Sequence, residues 1–184
     1  MIIDEICNDV FLIDLETHSD ERGFFLETYN KNQLSKIGFD INFIQDNLSF
    51  SLKKNTIRGL HFQKPPLSQK KLITVLQGSI FDVFIDVRKS SKNFGTHNFV
   101  ILDNPNQALL ISEGFIHGFC TLEDNTLVSY KVDKEYNMKS ESGVIWNDED
   151  IGINWPLNGS KPILSNKDEN LQSWDSFINE LEKK

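Results

Sequence analysis

Short runs of Ile, Val, Leu and Phe, separated by turn-forming residues, recur along most of the chain, a pattern that predicts an all-β sandwich or barrel. Strands are expected at Val10–Leu15, Phe24–Tyr29, Phe43–Ser49, Thr56–Gln63, Lys71–Leu76, Ile80–Val87, His97–Leu102, Ala108–Ile111, Ile116–Thr121 and Thr126–Val132. The breaks between them hold Gly, Pro, Asn and Asp, as in Asp20–Gly23, Pro65–Pro66, Gly78–Ser79 and the Asp-Asn-Pro-Asn run at 103–106. Alternation is clearest where Phe81, Val83, Ile85 and Val87 point one way and Asp82 and Asp86 the other, which predicts a strand with one face in the core. Two stretches read instead as helices. Asn30 to Ile37 has Asn30 as N-cap and Gly38 as stop, while Leu171 to Leu181 spaces Leu171, Trp174, Phe177, Ile178 and Leu181 as an amphipathic helix docked by simple packing. No repeat, low-complexity tract or linker interrupts this order, so residues 1–184 read as one domain.

Composition changes the picture of partners more than that of the fold. A chain of 184 residues is about one domain by length, and 39% apolar residues with 25% charged ones exclude disordered and collagen-like classes. Lys and Arg number 19 against 27 Asp and Glu, a net charge of −8 whose field repels phosphate backbones and anionic lipid. Neither nucleic acid nor a membrane is an expected partner; a small anion held by a local basic cluster is compatible with that charge. Cys7 and Cys120 lie in apolar contexts without CxxC spacing and read as two buried thiols of a reducing compartment. The acidic N-terminus does not suit a signal peptide, and no apolar run approaches the roughly 18 residues of a membrane span. Together these predict a cytoplasmic protein.

The chemistry-bearing candidates begin with four histidines, His18, His61, His97 and His117. His18 and His97 sit in polar, loop-like contexts and receive no role. His61 lies in RGLHFQ with Lys70 and Lys71 soon after, and His117 lies in GFIHGF between glycines. Histidine-bearing all-β chains of this size often resemble metal-binding cupins, whose pattern has two His one residue apart, then Glu, then a later His. Here position 63 is Gln63 and no acidic residue occurs from Thr56 to Phe81, so half the ligand set is missing and no metal is expected.

A larger set of motifs carries a specific resemblance. DERGFFLE from Asp20, QDN from Gln45, TIRGLHFQ from Thr56, PLSQKKL from Pro66 and GSIFDVFIDVR from Gly78 are followed by GFIHGF from Gly114 and VSYK from Val128. ESGVIWND from Glu141, the pair Trp155 and Pro156, and LSNKD from Leu164 complete the series. In this order, over roughly residues 9–170, the chain resembles the dTDP-4-dehydrorhamnose 3,5-epimerases. The resemblance implies a metal-free jelly-roll (double-stranded β-helix) of the cupin type, a homodimer, and dTDP-4-dehydro-6-deoxy-D-glucose as substrate. Ser112 and Asn55 depart from the family pattern at turn positions, where Pro and Gly are usual.

In a 4-keto sugar the hydrogens on C3 and C5 are both alpha to the carbonyl, so inversion needs a base on one face, an acid on the other and a cation at the enolate oxygen. No redox cofactor is required. The resemblance implies His61 as base, Asp168 as the carboxylate orienting it, Lys71 at the oxyanion and Tyr130 as acid. Read one at a time, Lys71 also fits a solvated strand end, Tyr130 a core position in step with Val128 and Val132, and Asp168 a cap for the C-terminal helix. A pyrophosphate suits Arg22, Arg58 and Lys167. For the rest of the nucleotide the resemblance implies Phe25 and Glu27 at the base, Gln45 and Asn47 nearby, and His117 at the phosphate or sugar. It further implies that Arg22, Phe25 and Glu27 reach the site from the partner subunit on an exchanged N-terminal strand.

One expectation is purely geometric. Strict alternation puts Arg58 and His61 on opposite faces of one strand, whereas both are wanted at one cavity; Gly59 between them predicts a bulge. Two other functions fit the same residues: an epimerase acting at C3 or C5 alone, and a nucleotide-sugar-binding cupin without catalysis. The acid–base set argues against the second, since binding needs no proton transfer.

Overall fold

The computed structural model describes residues 2–182. Its elements are β1 (Ile2–Cys7), β2 (Val10–Asp14), β3 (Thr17–Asp20), β4 (Gly23–Leu26), α1 (Lys31–Lys36), β5 (Gln45–Ser51), β6 (Ile57–Gln63), β7 (Lys71–Gln77) and β8 (Ile80–Asp86). These are followed by β9 (His97–Leu102), β10 (Gln107–Ile111), β11 (Phe115–Thr121), β12 (Thr126–Val132), β13 (Glu141–Gly143), α2 (Asn166–Glu169) and α3 (Trp174–Glu182). The strands form an antiparallel six-stranded sheet in the order β1-β2-β10-β7-β12-β5, a five-stranded sheet in the order β13-β6-β11-β8-β9, and a separate β3–β4 hairpin.

Apolar side chains divide into three layers around the two large sheets. Between the sheets lie Ile73 and Val75 of β7, Ile80 and Phe84 of β8, Leu109 and Ile111 of β10, Phe115 and Phe119 of β11, and Val128 of β12. Outside the six-stranded sheet, Ile13, Leu72, Ala108 and Leu110 pack beneath Leu34 of α1 and Ile41. Outside the five-stranded sheet, Ile57, Leu60, Phe62, Val83, Ile85 and Ile116 are covered by the C-terminal segment through Trp146, Trp155, Leu164 and Phe177. Phe177 is wholly buried, edge-on to Phe62 at 5.6 Å and stacked with Trp174 at 5.8 Å; burying one such ring stabilises by roughly 1.5–3 kcal/mol.

That outer layer corrects the reading of β8 as half-exposed. Every residue from Ile80 to Asp86 is buried, because the C-terminal segment covers one face and the opposite sheet covers the other. Asp82 and Asp86 therefore point into protein rather than water. Asp86 is matched there by the Arg88 fork, and Asp82 enters the layer between the sheets.

Helix ends follow their capping chemistry. Asn30 accepts from the amides of Asn32 and Gln33 and starts α1, and Gly38, at φ +98°, ends it. The C-terminal helix begins three residues later than its apolar spacing predicts, at Trp174, where Ser173 Oγ accepts from the Ser176 amide and Asp148 accepts from the Trp174 amide. Leu171 thus precedes it. Segment 24–29 pairs only as far as Leu26, in a hairpin with β3, and leaves Phe24 and Phe25 more than half exposed, at 62% and 65%. Asn55, where the resemblance leads one to expect Gly, adopts φ +61°, a left-handed conformation that asparagine tolerates.

Candidate active site

A cavity of about 450 Å³ opens between the two large sheets. The five-stranded sheet contributes Arg58 and His61 from β6 and His117 and Phe119 from β11; the six-stranded sheet contributes Ser49 from β5, Lys71 and Ile73 from β7, and Val128 and Tyr130 from β12. Ser165, Lys167 and Asp168, at and within α2, close one side.

Strand parity explains most of this arrangement. Lys71 precedes Ile73 and Val75 on the inward face of β7, Tyr130 follows Val128 on β12, and His117 lies between Phe115 and Phe119 on β11. On β6 the alternation breaks, as Gly59 predicts. His61 pairs with His117 and Arg58 pairs with Phe119, so three steps along β6 match two along β11 and one residue is extra. Gly59, at φ +129°, takes up the excess; a Cβ there would lie 2.6 Å from Gly118 Cα, and one on Gly118 would lie 2.8 Å from the Arg58 carbonyl oxygen. Leu60 and Phe62 accordingly turn to the outer core while Arg58 and His61 both face the cavity.

His61 Nε2 bonds Asp168 Oδ1 at 2.7 Å, with the carboxylate almost buried at 6% side-chain exposure and the imidazole 31% exposed. Asp168 does not cap the C-terminal helix. It lies inside the short α2, whose cap is Ser165, and α3 begins only at Trp174. Burial pushes the Asp168 carboxyl up, but the hydrogen bond and charge of His61, helped by Ser165 and the Gly59 amide, prevail and hold it below the usual carboxylate range. With Nε2 committed to Asp168, Nδ1 is the ring nitrogen left to accept a proton.

Lys71 is half-buried rather than solvated, and burial brings its ammonium down to about 8 against the opposing pull of Asp82 and Glu141. Tyr130 is half-buried too, its phenol raised by burial and partly restored by Arg58, so it carries its proton throughout the neutral range. Arg58 is aimed by Ser51 Oγ at 3.1 Å and the Phe50 carbonyl at 2.8 Å. Lys167 pairs with Glu141, whose other oxygen accepts from Tyr136 Oη at 2.8 Å.

Seven of the twelve residues expected at the site line this one cavity: His61, Lys71, Tyr130, Asp168, Arg58, His117 and Lys167. Gln45 and Asn47 lie outside its wall but on the same face of β5 as Ser49, hydrogen-bonded to each other at 2.8 Å. Arg22, Phe25 and Glu27 do not approach it within one chain: Arg22 pairs with Asp20, and Phe25 projects from the hairpin. Three wall or near-wall groups escaped the sequence reading. Ser49 Oγ is buried without a protein partner, Glu141 links Lys167 to Tyr136, and Asp82 bonds His117. Glu141 and Asp82 both lay within quoted motifs, and Asp82 was masked by its assignment to a solvent face; Ser49 lay in none.

Gln63, where a metal-binding cupin pattern places an acid, is a loop clamp, donating to the Leu67 and Glu135 carbonyls and accepting from the Asn137 amide. Among the described residues no group of three or more His, Cys, Asp or Glu converges as a metal site.

Comparison with known proteins agrees with the geometry. The sequence model of the family described as dTDP-4-dehydrorhamnose 3,5-epimerase matches residues 5–176. The dTDP-4-dehydrorhamnose 3,5-epimerase of Shigella flexneri is 42% identical over 175 residues, spanning 92% of this chain and 95% of that protein. Among solved structures, the Bacillus anthracis enzyme of the same name, with TDP and PPi bound, superposes with a TM-score of 0.88 at 45% identity, covering 94% of this chain and 99% of that one. The Legionella pneumophila dTDP-6-deoxy-D-glucose-3,5-epimerase, in complex with dTDP-4-keto-L-rhamnose, gives a TM-score of 0.90 at 36% identity, covering 98% and 96%. Sequence and fold thus agree over nearly the whole length, and the chain belongs to the dTDP-4-dehydrorhamnose 3,5-epimerase family.

Proposed function

We propose that this chain is a cofactor-free isomerase that inverts C3 and C5 of dTDP-4-dehydro-6-deoxy-D-glucose to give dTDP-4-dehydro-L-rhamnose. The observation that carries the reading is the placement of base and acid on opposite walls: the His61–Asp168 pair on the five-stranded side, and Tyr130 on the six-stranded side with Lys71 on the neighbouring strand.

His61 Nδ1 takes the proton from C3, the C–H pair moves into the C3–C4 bond, and the C4 carbonyl oxygen gathers the charge that the Lys71 ammonium faces. Tyr130 then delivers its phenolic proton to the opposite face of C3, inverting that centre; Tyr130 is reprotonated from solvent as His61 releases its proton to solvent, which restores both groups. The same cycle at C5 completes the reaction. Arg58 and Lys167 suit the pyrophosphate, and His117 the sugar or phosphate end.

The two face-packed sheets and covering helix support a single jelly-roll domain of the cupin type. A homodimer with an exchanged N-terminal strand accounts for the rest of the site, because Arg22, Phe25 and Glu27 are remote from their own cavity while Phe24, Phe25 and the outward Leu48 and Phe50 of the β5 edge are exposed. A cytoplasmic location is supported by two unpaired cysteines in different core layers, each thiol pushed up to about 11, chiefly by burial. No helix among the described residues is long and apolar enough to cross a membrane.

Incubation with the 4-keto sugar nucleotide in deuterated water, followed by NMR, tests the activity. Deuterium is expected at both C3 and C5, with L-rhamno product. Exchange at one carbon alone identifies a monoepimerase, and saturable dTDP binding without exchange identifies a binding protein.

A further inference from the structure

Asp82 is a buried carboxylate that the proposed chemistry does not use. It lies on β8 between Ile80 and Phe84, which pack in the layer between the sheets, and none of its surface reaches solvent. A buried carboxylate is costly unless matched. Both its oxygens meet His117 Nε2, at 2.9 and 3.0 Å. Across the layer, Lys71 enters from the facing sheet on the same side of β7 as Ile73 and Val75.

We propose that Asp82 is a positioning residue for the enolisation: it fixes His117 with Nε2–H turned away from the substrate and Nδ1 left as acceptor, and it supplies the negative charge that keeps Lys71 an ammonium facing the enolate oxygen. This rests on the reading of Lys71 as the enolate's cation.

The charges around Lys71 single out Asp82. Lys71 shares its cavity with Arg58 and His61 of β6, His117 of β11 and Tyr130 of β12, and α2 adds Lys167 and Asp168. Of the three carboxylates nearby, Asp168 is engaged by His61, and Glu141, beside β6 on β13, by Lys167 and Tyr136. Asp82 is matched only by an imidazole. Burial and the adjacent Lys71 hold His117 below the usual histidine range against the pull of Asp82, so the imidazole is neutral and Lys71 carries the positive charge. Asp82 also opposes the downward effect of burial on Lys71 more strongly than Glu141 does.

Asp82→Asn keeps the shape and removes the charge. The expected result is an alkaline limb of kcat/KM displaced to lower pH by about one unit, with kcat at pH 8 reduced at least ~10-fold and KM within ~3-fold of wild type. Carbon-13 NMR of the Lys71 Cε reads the same titration without turnover, and its midpoint is expected to fall in the variant. An unmoved midpoint overturns the proposal and leaves the role of Lys71 standing. A moved midpoint with an unmoved activity profile overturns the role of Lys71 and, with it, the part given to Asp82 in turnover. Nitrogen-15 NMR of wild-type His117 needs no variant: a neutral Nε2–H tautomer at pH 7 is expected, and an Nδ1–H tautomer or an imidazolium overturns the proposal.

Discussion

Arg58 and His61 are three residues apart on one strand and face the same cavity, because β6 carries one residue more than β11 between them. The extra residue places a guanidinium and an imidazole on one wall, the two groups that the proposed function assigns to the nucleotide and to the sugar. It also makes two glycines structural requirements of the site.

Gly59→Ala is therefore expected to impair folding and activity together. The new Cβ would stand 2.6 Å from Gly118 Cα at φ +129°, so either β6 moves away from β11 or the bulge is lost. A loss of about 1–3 kcal/mol in stability, read from denaturant midpoints, and a larger fractional loss of turnover are expected. Alanine at Gly152, where the nearest atom is 3.6 Å away, is the matched control for strain without a close approach, at φ +65°.

The activity is expected to decline on the alkaline side of neutrality. Burial lowers the Lys71 ammonium to about 8, so the cation proposed to face the enolate oxygen is present below that pH and lost above it. Tyr130 is raised instead and stays protonated through this range, so it does not produce the limb. Lys71→Arg, which stays charged to beyond about pH 12, is expected to show reduced kcat without the decline near pH 8. A wild-type profile flat through pH 9 would remove Lys71 from the chemistry.

Mixing two inactive variants tests the shared site. A chain carrying Arg22→Ala and Phe25→Ala retains His61 but offers its partner no base-binding strand; a His61→Asn chain retains the strand. In a mixed exchanged dimer one cavity is complete, so refolding the two together is expected to recover up to about a quarter of wild-type turnover by random pairing and one intact site in two. No recovery, with size measurements showing dimers, would mean that each chain supplies its own nucleotide contacts.

Legibility from the sequence followed the range of the forces involved. Strands such as β9 and β12 were visible with their observed bounds, because alternation and turn residues are local. The bulge was also visible, as a conflict between the alternation at Arg58 and His61 that Gly59 could resolve. Tertiary cover was not visible. Burial of both faces of β8 depends on a segment some 65–100 residues later, so Asp82 looked like a solvent residue and its bond to His117 was missed. The short β13 and the single turn of α2 carry too few residues for a periodicity, yet they supply Glu141 and Asp168.

The C-terminal helix that forms the cover is latched by Glu180, which accepts from Lys64 at 2.5 Å, Ser142 at 2.6 Å and Gln172 at 2.8 Å. Burial pushes its carboxyl up, and those three donors with the Lys64 charge bring it down to about 2. A carboxyl lowered on folding stabilises above its unfolded pKa, and that contribution is lost as pH falls from about 4.5 toward about 2. Glu180→Gln is expected to cost about 1–3 kcal/mol at pH 7 and to converge with wild type as pH approaches 2, in parallel chemical denaturation series. A constant difference across that interval would show that shape, not charge, holds the helix.

Tyr130→Phe separates the two halves of the proton transfer. Removing the phenol leaves His61, Asp168 and Lys71 in place, so the enolate still forms and returns its proton on the side from which it left. In deuterated water the expected result is isotope exchange that persists while net inversion falls by roughly 100- to 10,000-fold, the usual contribution of a positioned acid. His61→Asn is expected to abolish both. The contrast depends on the opposed walls of the cavity: if Tyr130→Phe suppressed exchange as strongly as inversion, the phenol would belong to the abstraction step and the acid would have to come from another group on the six-stranded side.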